Sequence, residues 1–335
     1  MKIAIIGAGA IGSIVAGYLT KARVSVVLVG RPDQVDIIRR SGLKIKKCDG
    51  TEETISLPVA AQLDKEYDLT IFTVKTQDLE PAYQQNHQYL SNCANILSTQ
   101  NGVQADNILS SHFEPEKIIS SIVMFGATYI RPGEVTYNFS GDWIIGKPFS
   151  ANDIKVTEVE EVLSKAFSVY VTGEIVGMKW LKLFVNFNNC IPALLGKSMQ
   201  ETFSDLDFCK LSVLLLREGV EVVQNARIEL VSLPKFPVDR ITGLSSLPLE
   251  EAARIINKTL TGLSKEPLYG SILQSIMRQR ASEIDFINGE VTLLADNTGK
   301  KSPLNRKVVD LVHQVEREGK FFTAQEIKRE FALNY

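Results

Sequence analysis

Lys2-Ile3-Ala4-Ile5-Ile6-Gly7-Ala8-Gly9-Ala10-Ile11-Gly12 opens the chain and decides its first fold. Residues 2–6, apolar from Ile3 onward, have strand length. Gly7 to Gly12 follow at G-x-G-x-x-G spacing, and Ser13 to Leu19 continue with helical apolar character. Strand, glycine turn and helix in that order form a dinucleotide-binding fingerprint. Gly7 would allow the tight turn, Gly9 the close approach of a pyrophosphate, and Gly12 close packing of helix on strand. Gly7, Gly9, Ala10, Ile11 and Gly12 are therefore the expected cofactor turn. The helix start adds free N–H groups and a partial positive charge.

Working outward, Val24 to Val29 is the expected second strand. It ends in Gly30-Arg31, where an NAD-binding fold usually carries an acidic residue for the ribose hydroxyls. A carboxylate there would repel a 2′-phosphate, whereas a guanidinium would pair with it. Arg31 thus points to NADP(H). Leu43 to Val59 reads as a pair of edge strands around Asp49-Gly50. Tyr67 to Val74 and Asn95 to Thr99 read as core strands ending at Lys75 and at Gln100-Asn101-Gly102. Ligands of open α/β sheets bind at such carboxyl ends, so Lys75 and Asn101 join the candidates. Ile118 to Gly126 and Val135 to Gly146 add strands, with Arg131-Pro132-Gly133 as the turn between them.

The pattern turns helical near residue 174. The expected organisation is an α/β fold: an N-terminal Rossmann domain over 1–173, then an all-helical domain over 174–335. Lys182 and Asn186 are four apart on one helix and share a face. Asn188, Asn189 and Cys190 extend a polar patch, although asparagine is a poor helix former. Leu211 to Leu230 and Glu250 to Leu263 read as helices, and Ser232 to Pro248 as a loop. Ser271 to Asn288 reads as one helix containing Glu283, and Lys307 to Glu318 as a terminal amphipathic helix.

The whole-chain properties narrow the class. The 335 residues suffice for two domains, and a formal net charge of -2 does not favour nucleic acid or a membrane surface. No apolar run approaches the roughly 20 residues of a membrane span. With the first strand at residues 2–6, we expect no signal peptide. Cys48, Cys93, Cys190 and Cys209 are scattered, and only His87, His112 and His313 accompany them. We expect a reduced cytoplasmic setting, no metal site and surface histidines.

Taken together, the motifs resemble the ketopantoate reductase family over nearly the whole chain. They are GAGAIG at 7–12, Arg31, Val74-Lys75, Gln100-Asn101-Gly102 and Pro132-Gly133 in the first half. In the second they are W-x-K-L-x-x-N at 180–186, S-E-I-D-x-I-N-G at 282–289 and G-x-x-x-P-x-N at 299–305. The resemblance implies NADPH-dependent reduction of 2-dehydropantoate (ketopantoate) to pantoate. It implies Lys182 as the general acid, Asn101, Lys182, Asn186 and Ser271 as substrate contacts, and Glu283 as the acidic residue orienting the reacting hydroxyl. It also implies a Lys182–Glu283 pair that keeps the lysine charged. The partner is a small 2-oxoacid, and a homodimer stays open. Three positions depart from the family pattern: Cys190 and Leu268 stand for asparagines and Ser275 for an aspartate. Ile272 also replaces the usual methionine. The altered rim leaves two alternatives open, a reductase of another small 2-oxoacid and a non-catalytic NADP(H)-binding protein.

Overall fold

The computed structural model describes residues 1–264 and 266–333. The chain forms two compact units, Met1–Val176 and Gly177–Tyr335. The division falls three residues beyond the position expected from composition.

The strands are β1 (Lys2–Ile6), β2 (Ser25–Val29), β3 (Leu43–Lys47), β4 (Glu52–Ile55), β5 (Val59–Ala60), β6 (Leu69–Phe72), β7 (Asn95–Ser98), β8 (Ile118–Val123), β9 (Gly126–Arg131), β10 (Glu134–Phe139), β11 (Trp143–Gly146) and β12 (Val169–Val171). The helices of the first unit are α1 (Ala10–Lys21), α2 (Pro32–Ser41), α3 (Leu79–Asn86), α4 (Gln104–Ser110) and α5 (Ile154–Leu163). Eight strands form the main sheet in the order β12-β11-β8-β7-β6-β1-β2-β5. The six from β5 to β8 are parallel, and β11 enters antiparallel to β8.

Strand β1 lies between β2 and β6, so both of its faces must be apolar. Ile3 and Ile5 pack into one core with Ile14, Val15 and Leu19 of α1. Ala4 and Ile6 pack into a second core with Phe72, Leu79 and Ile96. The period-2 alternation of a strand thus feeds two layers from four residues.

The Asp49-Gly50 turn joins β3 to β4, with Gly50 at φ +84°. These strands belong to a second sheet, β4-β3-β10-β9, and β5 alone of this stretch pairs with the main sheet. Each of the stretches 118–126 and 135–146 proves to be shared between the sheets. Pro132-Gly133 turns β9 into β10, and Phe139 lies against Gly126 on the neighbouring strand.

The second unit is helical: α6 (Ile175–Asn186, begun at the end of the first unit), α7 (Cys190–Leu195), α8 (Met199–Phe203), α9 (Leu206–Asn225), α10 (Asp239–Ser246), α11 (Leu249–Thr261), α12 (Ser271–Met277), α13 (Asn288–Asn297), α14 (Pro303–Glu318) and α15 (Ala324–Glu330). Helix α9 is its axis, with eleven buried residues and with α10, α11, α13 and α14 packed on it. Sequence periodicity misses three features. The stretch 232–248 holds α10, the final residues hold α15 anchored by buried Ile327, and the expected helix 271–288 is broken. It stops after Met277, Gln279 adopts φ +54°, and a 3-10 turn at Ile284–Phe286 precedes α13. A left-handed glutamine cannot continue a helix. Glu283 therefore sits in a loop. Among the described residues no helix is long and apolar enough to cross a membrane.

Candidate active site

The glycine turn is held from two sides. The Gly7 N–H donates to Val29 O at 2.9 Å, and the Thr73 hydroxyl donates to Gly7 O at 2.8 Å. Gly7 has φ +122°, and a Cβ there would stand 2.7 Å from the Val74 nitrogen. At Gly12 a Cβ would stand 2.0 Å from Gly7 O, so only glycine lets α1 begin this close to the strand. A Cβ on Gly9 would meet nothing within 4 Å. The turn is thus packed beneath Gly7 and Gly12 and open at Gly9, where α1 starts with Ala10 and Ile11. That is the space a pyrophosphate needs at a helix N-terminus.

Arg31 directly precedes α2, and its N–H donates to Gln34 Oε1 at 3.1 Å. Buried Gln34 donates in turn to Ala8 O at 2.9 Å. This amide, absent from the sequence reading, ties the residue after β2 to the glycine turn. The Arg31 side chain is exposed, with Asp33 at 3.6 Å. Lys75 is half-buried just beyond β6, before a short 3-10 turn at Thr76–Asp78. Asn101 is exposed beyond β7, followed by Gly102 at φ +81°. Between them, buried Gln100 donates to Phe72 O at 2.8 Å and to Val74 O at 2.9 Å, joining the two strand ends. Gln100 also went unrecognised as a structural tie, its only sign being a polar residue at a strand end.

In the helical unit, Trp180, Leu183 and Phe184 of α6 and Phe187 just after it are all buried. The Phe184 and Phe187 rings lie 4.9 Å apart and pack onto Gly219 of α9, where a Cβ would be 2.7 Å from the Phe184 ring. Each buried aromatic contributes roughly 1.5–3 kcal/mol, so packing fixes the rotation of α6. The face left over carries Lys182 and Asn186, both half-buried. Among the described residues no hydrogen bond or ion pair holds the Lys182 ammonium, and burial alone pushes its pKa below the ordinary lysine range. The expected Lys182–Glu283 pair is not formed. Desolvation disfavours the charged form, and no neighbouring carboxylate offsets it.

The asparagine patch after α6 proves to be structural. A 3-10 turn at Phe187–Asn189 interrupts the helix there. Asn188 Oδ1 accepts the Ser212 hydroxyl of α9. Asn189 lies against Gly270, where a Cβ would be 2.4 Å from its Oδ1. That contact seats the start of α12, and with it exposed Ser271, on the turn that follows Asn186. Lys182, Asn186 and Ser271 are thus gathered by neighbouring elements of one unit.

Cys190 corrects the sequence reading. It was expected on a substrate rim, but it is fully buried and its Sγ donates to Phe187 O at 3.0 Å. Burial raises its thiol pKa to about 12, so it is an inert core residue. Leu268 is the exposed departure, at 43%. Its backbone is pinned to α8 through Met199 N at 2.8 Å and Gln200 Oε1 at 2.9 Å. Ser275 donates to Ser271 O at 3.1 Å within α12. Of the histidines, only His87 is a plain surface residue. His112 stacks on Tyr83, and His313 lies between two carboxylates.

Glu283 is half-buried in the break before α13. The stretch after it is secured by a buried polar chain. Asn288 Nδ2 donates to Asn305 Oδ1 at 3.0 Å, and Asn305 Nδ2 reaches Leu215 O at 3.1 Å and Glu218 Oε1 at 2.9 Å. Glu218 of α9 also accepts the Leu304 and Asn305 N–H groups at 3.0 and 2.8 Å. It thereby caps α14 from another helix, with Pro303 in the first turn where an N–H would be idle. This chain explains the proline and asparagine of the 299–305 motif.

Comparison with known proteins agrees with this architecture. Residues 3–148 match the family model described as ketopantoate reductase PanE/ApbA, and residues 174–316 match its C-terminal domain. The 2-dehydropantoate 2-reductase of Pyrococcus horikoshii is 32% identical over 327 residues, covering 95% of this chain and 99% of that protein. The Pyrococcus abyssi enzyme of the same name is 28% identical over 96% of this chain and all of that protein. Among solved structures, a PanE/ApbA family ketopantoate reductase from Ralstonia eutropha JMP134 superposes with a TM-score of 0.79 at 25% identity, over 95% of this chain and 99% of its own. D-mandelate dehydrogenase with NADH and anilino(oxo)acetate reaches 0.81 at 23% identity with the same coverage, a likeness of fold. The chain belongs to the ketopantoate reductase family and is an oxidoreductase.

Proposed function

We propose that this protein reduces a 2-oxoacid to the 2-hydroxyacid with NADPH, and that 2-dehydropantoate is its substrate. The observation that carries the reading is Lys182: a half-buried ammonium with no partner among the described residues, one turn from Asn186, with a pKa lowered by burial. An unpartnered buried charge is costly, and a charge kept at such a site serves a ligand.

When bound, NADPH supplies the hydride that reduces carbon 2. Lys182 holds the 2-oxo oxygen, stabilises the charge growing on it and passes it one proton, so that the carbonyl becomes a hydroxyl. The neutral amine left on Lys182 regains a proton from solvent. Asn186 and Asn101 offer amide donors to the substrate, Ser271 offers a hydroxyl to its carboxylate, and Glu283 accepts a hydrogen bond from the new hydroxyl. Lys75 serves the cofactor within the first unit.

Arg31 supports the choice of NADPH over NADH. Its contact with Asp33 is between exposed groups and is worth at most about 1 kcal/mol, so a 2′-phosphate can displace it. Arg31→Ala should lose a charge-assisted contact of roughly 1.5–3 kcal/mol, raising the Kd for NADPH about tenfold or more. Fluorescence titration should find NADH binding nearly unchanged, and equal losses for both cofactors would refute the role.

A second reading is a more apolar 2-oxoacid, favoured by exposed Leu268 where the family pattern has asparagine. Steady-state assays across branched, aryl and hydroxylated 2-oxoacids separate the two. The highest kcat/KM for 2-dehydropantoate supports the first reading, and no NADPH oxidation with any of them removes both.

A further inference from the structure

Short-range backbone bonds turn the loop carrying Glu283, among them Arg280 N–H to Ser275 O and Phe286 N–H to Glu283 O, both at 3.0 Å. From Arg278 to Glu283 there is no regular element, and Gln279, Glu283 and Ile287 take φ/ψ values foreign to helix or strand. Side chains of α14 also hold it. Glu316 Oε1 accepts the Ser282 N–H at 2.7 Å. Glu316 Oε2 faces His313 Nδ1 at 3.0 Å, and His313 Nε2 faces Asp285 Oδ1 at 2.9 Å. The chain Ser282–Glu316–His313–Asp285 therefore grips the loop one residue before Glu283 and two residues after it.

A neutral imidazole donates from one nitrogen only, whereas both of these face carboxylate oxygens; the imidazolium satisfies both. Burial pulls His313 down, but hydrogen bonds with Asp285 and Glu316 outweigh it and hold its pKa above the usual histidine value. Glu316 is held low in spite of its own burial by the Ser282 N–H and by His313. The third attachment, Asn288 to Asn305, fixes the end of the loop.

We propose that Glu316 and His313, acting with Asp285, are positioning residues that set Glu283 for its work on the substrate. This rests on the reading of Glu283 given under Proposed function. None of the three touches the reacting atoms; they act by fixing where Glu283 stands.

The test uses the full chain with NADPH and its best 2-oxoacid. Glu316→Ala removes the acceptor for Ser282 N–H, and Glu316→Gln keeps an amide oxygen there. A displacement of order 1 Å at a catalytic group can cost about 10²-fold in rate, so Glu316→Ala should lower kcat by one to two orders of magnitude, with NADPH binding retained. Glu316→Gln should recover most of that loss. In a Glu283→Gln background the same alanine change should cost little more, because the group it positions is already gone. Amide hydrogen exchange at residues 282–288 should quicken in Glu316→Ala. Undiminished kcat in Glu316→Ala, or losses that add in full with Glu283→Gln, would overturn the proposal. If the wild-type protein reduces no 2-oxoacid, the functional reading falls, and unchanged exchange at Ser282 in the alanine variant then overturns the grip itself.

Discussion

Lys182→Ala will lower kcat for NADPH-linked 2-oxoacid reduction by about 10²–10⁴-fold, the range expected when a general acid is removed. The same residue stabilises the charge on the carbonyl oxygen, so the upper half of that range is the better expectation. NADPH should still bind with near wild-type affinity, because the glycine turn and Arg31 lie in the other unit of the chain. Turnover within threefold of wild type would refute the assignment.

The pH dependence follows from the same side chain. The acid must be protonated to act, and burial moves Lys182 below the ordinary lysine value of 10.5. The kcat/KM for reduction should therefore fall as pH rises, with the decline beginning below 10.5. Lys182→Arg keeps the charge at all accessible pH, and should remove that alkaline limb while leaving a much slower enzyme. An unchanged limb in the arginine variant would assign it to another group.

The second large effect is on stability. Asn305→Ala should destabilise the helical unit by about 3 kcal/mol, because it strips a partner from buried Asn288, from Leu215 O and from Glu218 Oε1 at once. For a unit of this size that corresponds to roughly 6–12 °C in Tm by calorimetry. Glu218 keeps its two backbone N–H contacts, so α14 should remain capped. A shift below about 2 °C would show that the polar chain is not a major source of stability.

Some of this organisation can be read directly from the residues. The strand, glycine turn and helix at 2–19 are local, and their spacing dictates contacts made within one turn. The apolar face of α6 is equally local, and it leaves Lys182 and Asn186 together. What could not be read is tertiary. Ile272, Leu273, Ile276, Ile284 and Ile287 suit one continuous helix, yet the chain breaks at Gln279. The partners that make the break tolerable are distant in sequence: Glu316 lies 34 residues from Ser282, and Asn305 lies 17 from Asn288. Cys190 was misplaced for a similar reason: a residue type that departs from a family pattern does not reveal whether its position faces ligand or core. Gln34 and Gln100 gave little sign, because a glutamine that donates to distant carbonyls has no local periodicity.

The hold of α14 on the loop before α13 also sets an order of assembly during synthesis. The main sheet is complete once β12 has been made, and every strand it needs lies before residue 172. The loop bearing Glu283 has no such independence, since its attachments at Asn305, His313 and Glu316 are synthesised after it. A nascent chain stalled before residue 303 would carry a finished nucleotide fold and an unfinished helical half. The loop before α13 thus takes its final course only after residue 316 has been made, well behind the sheet.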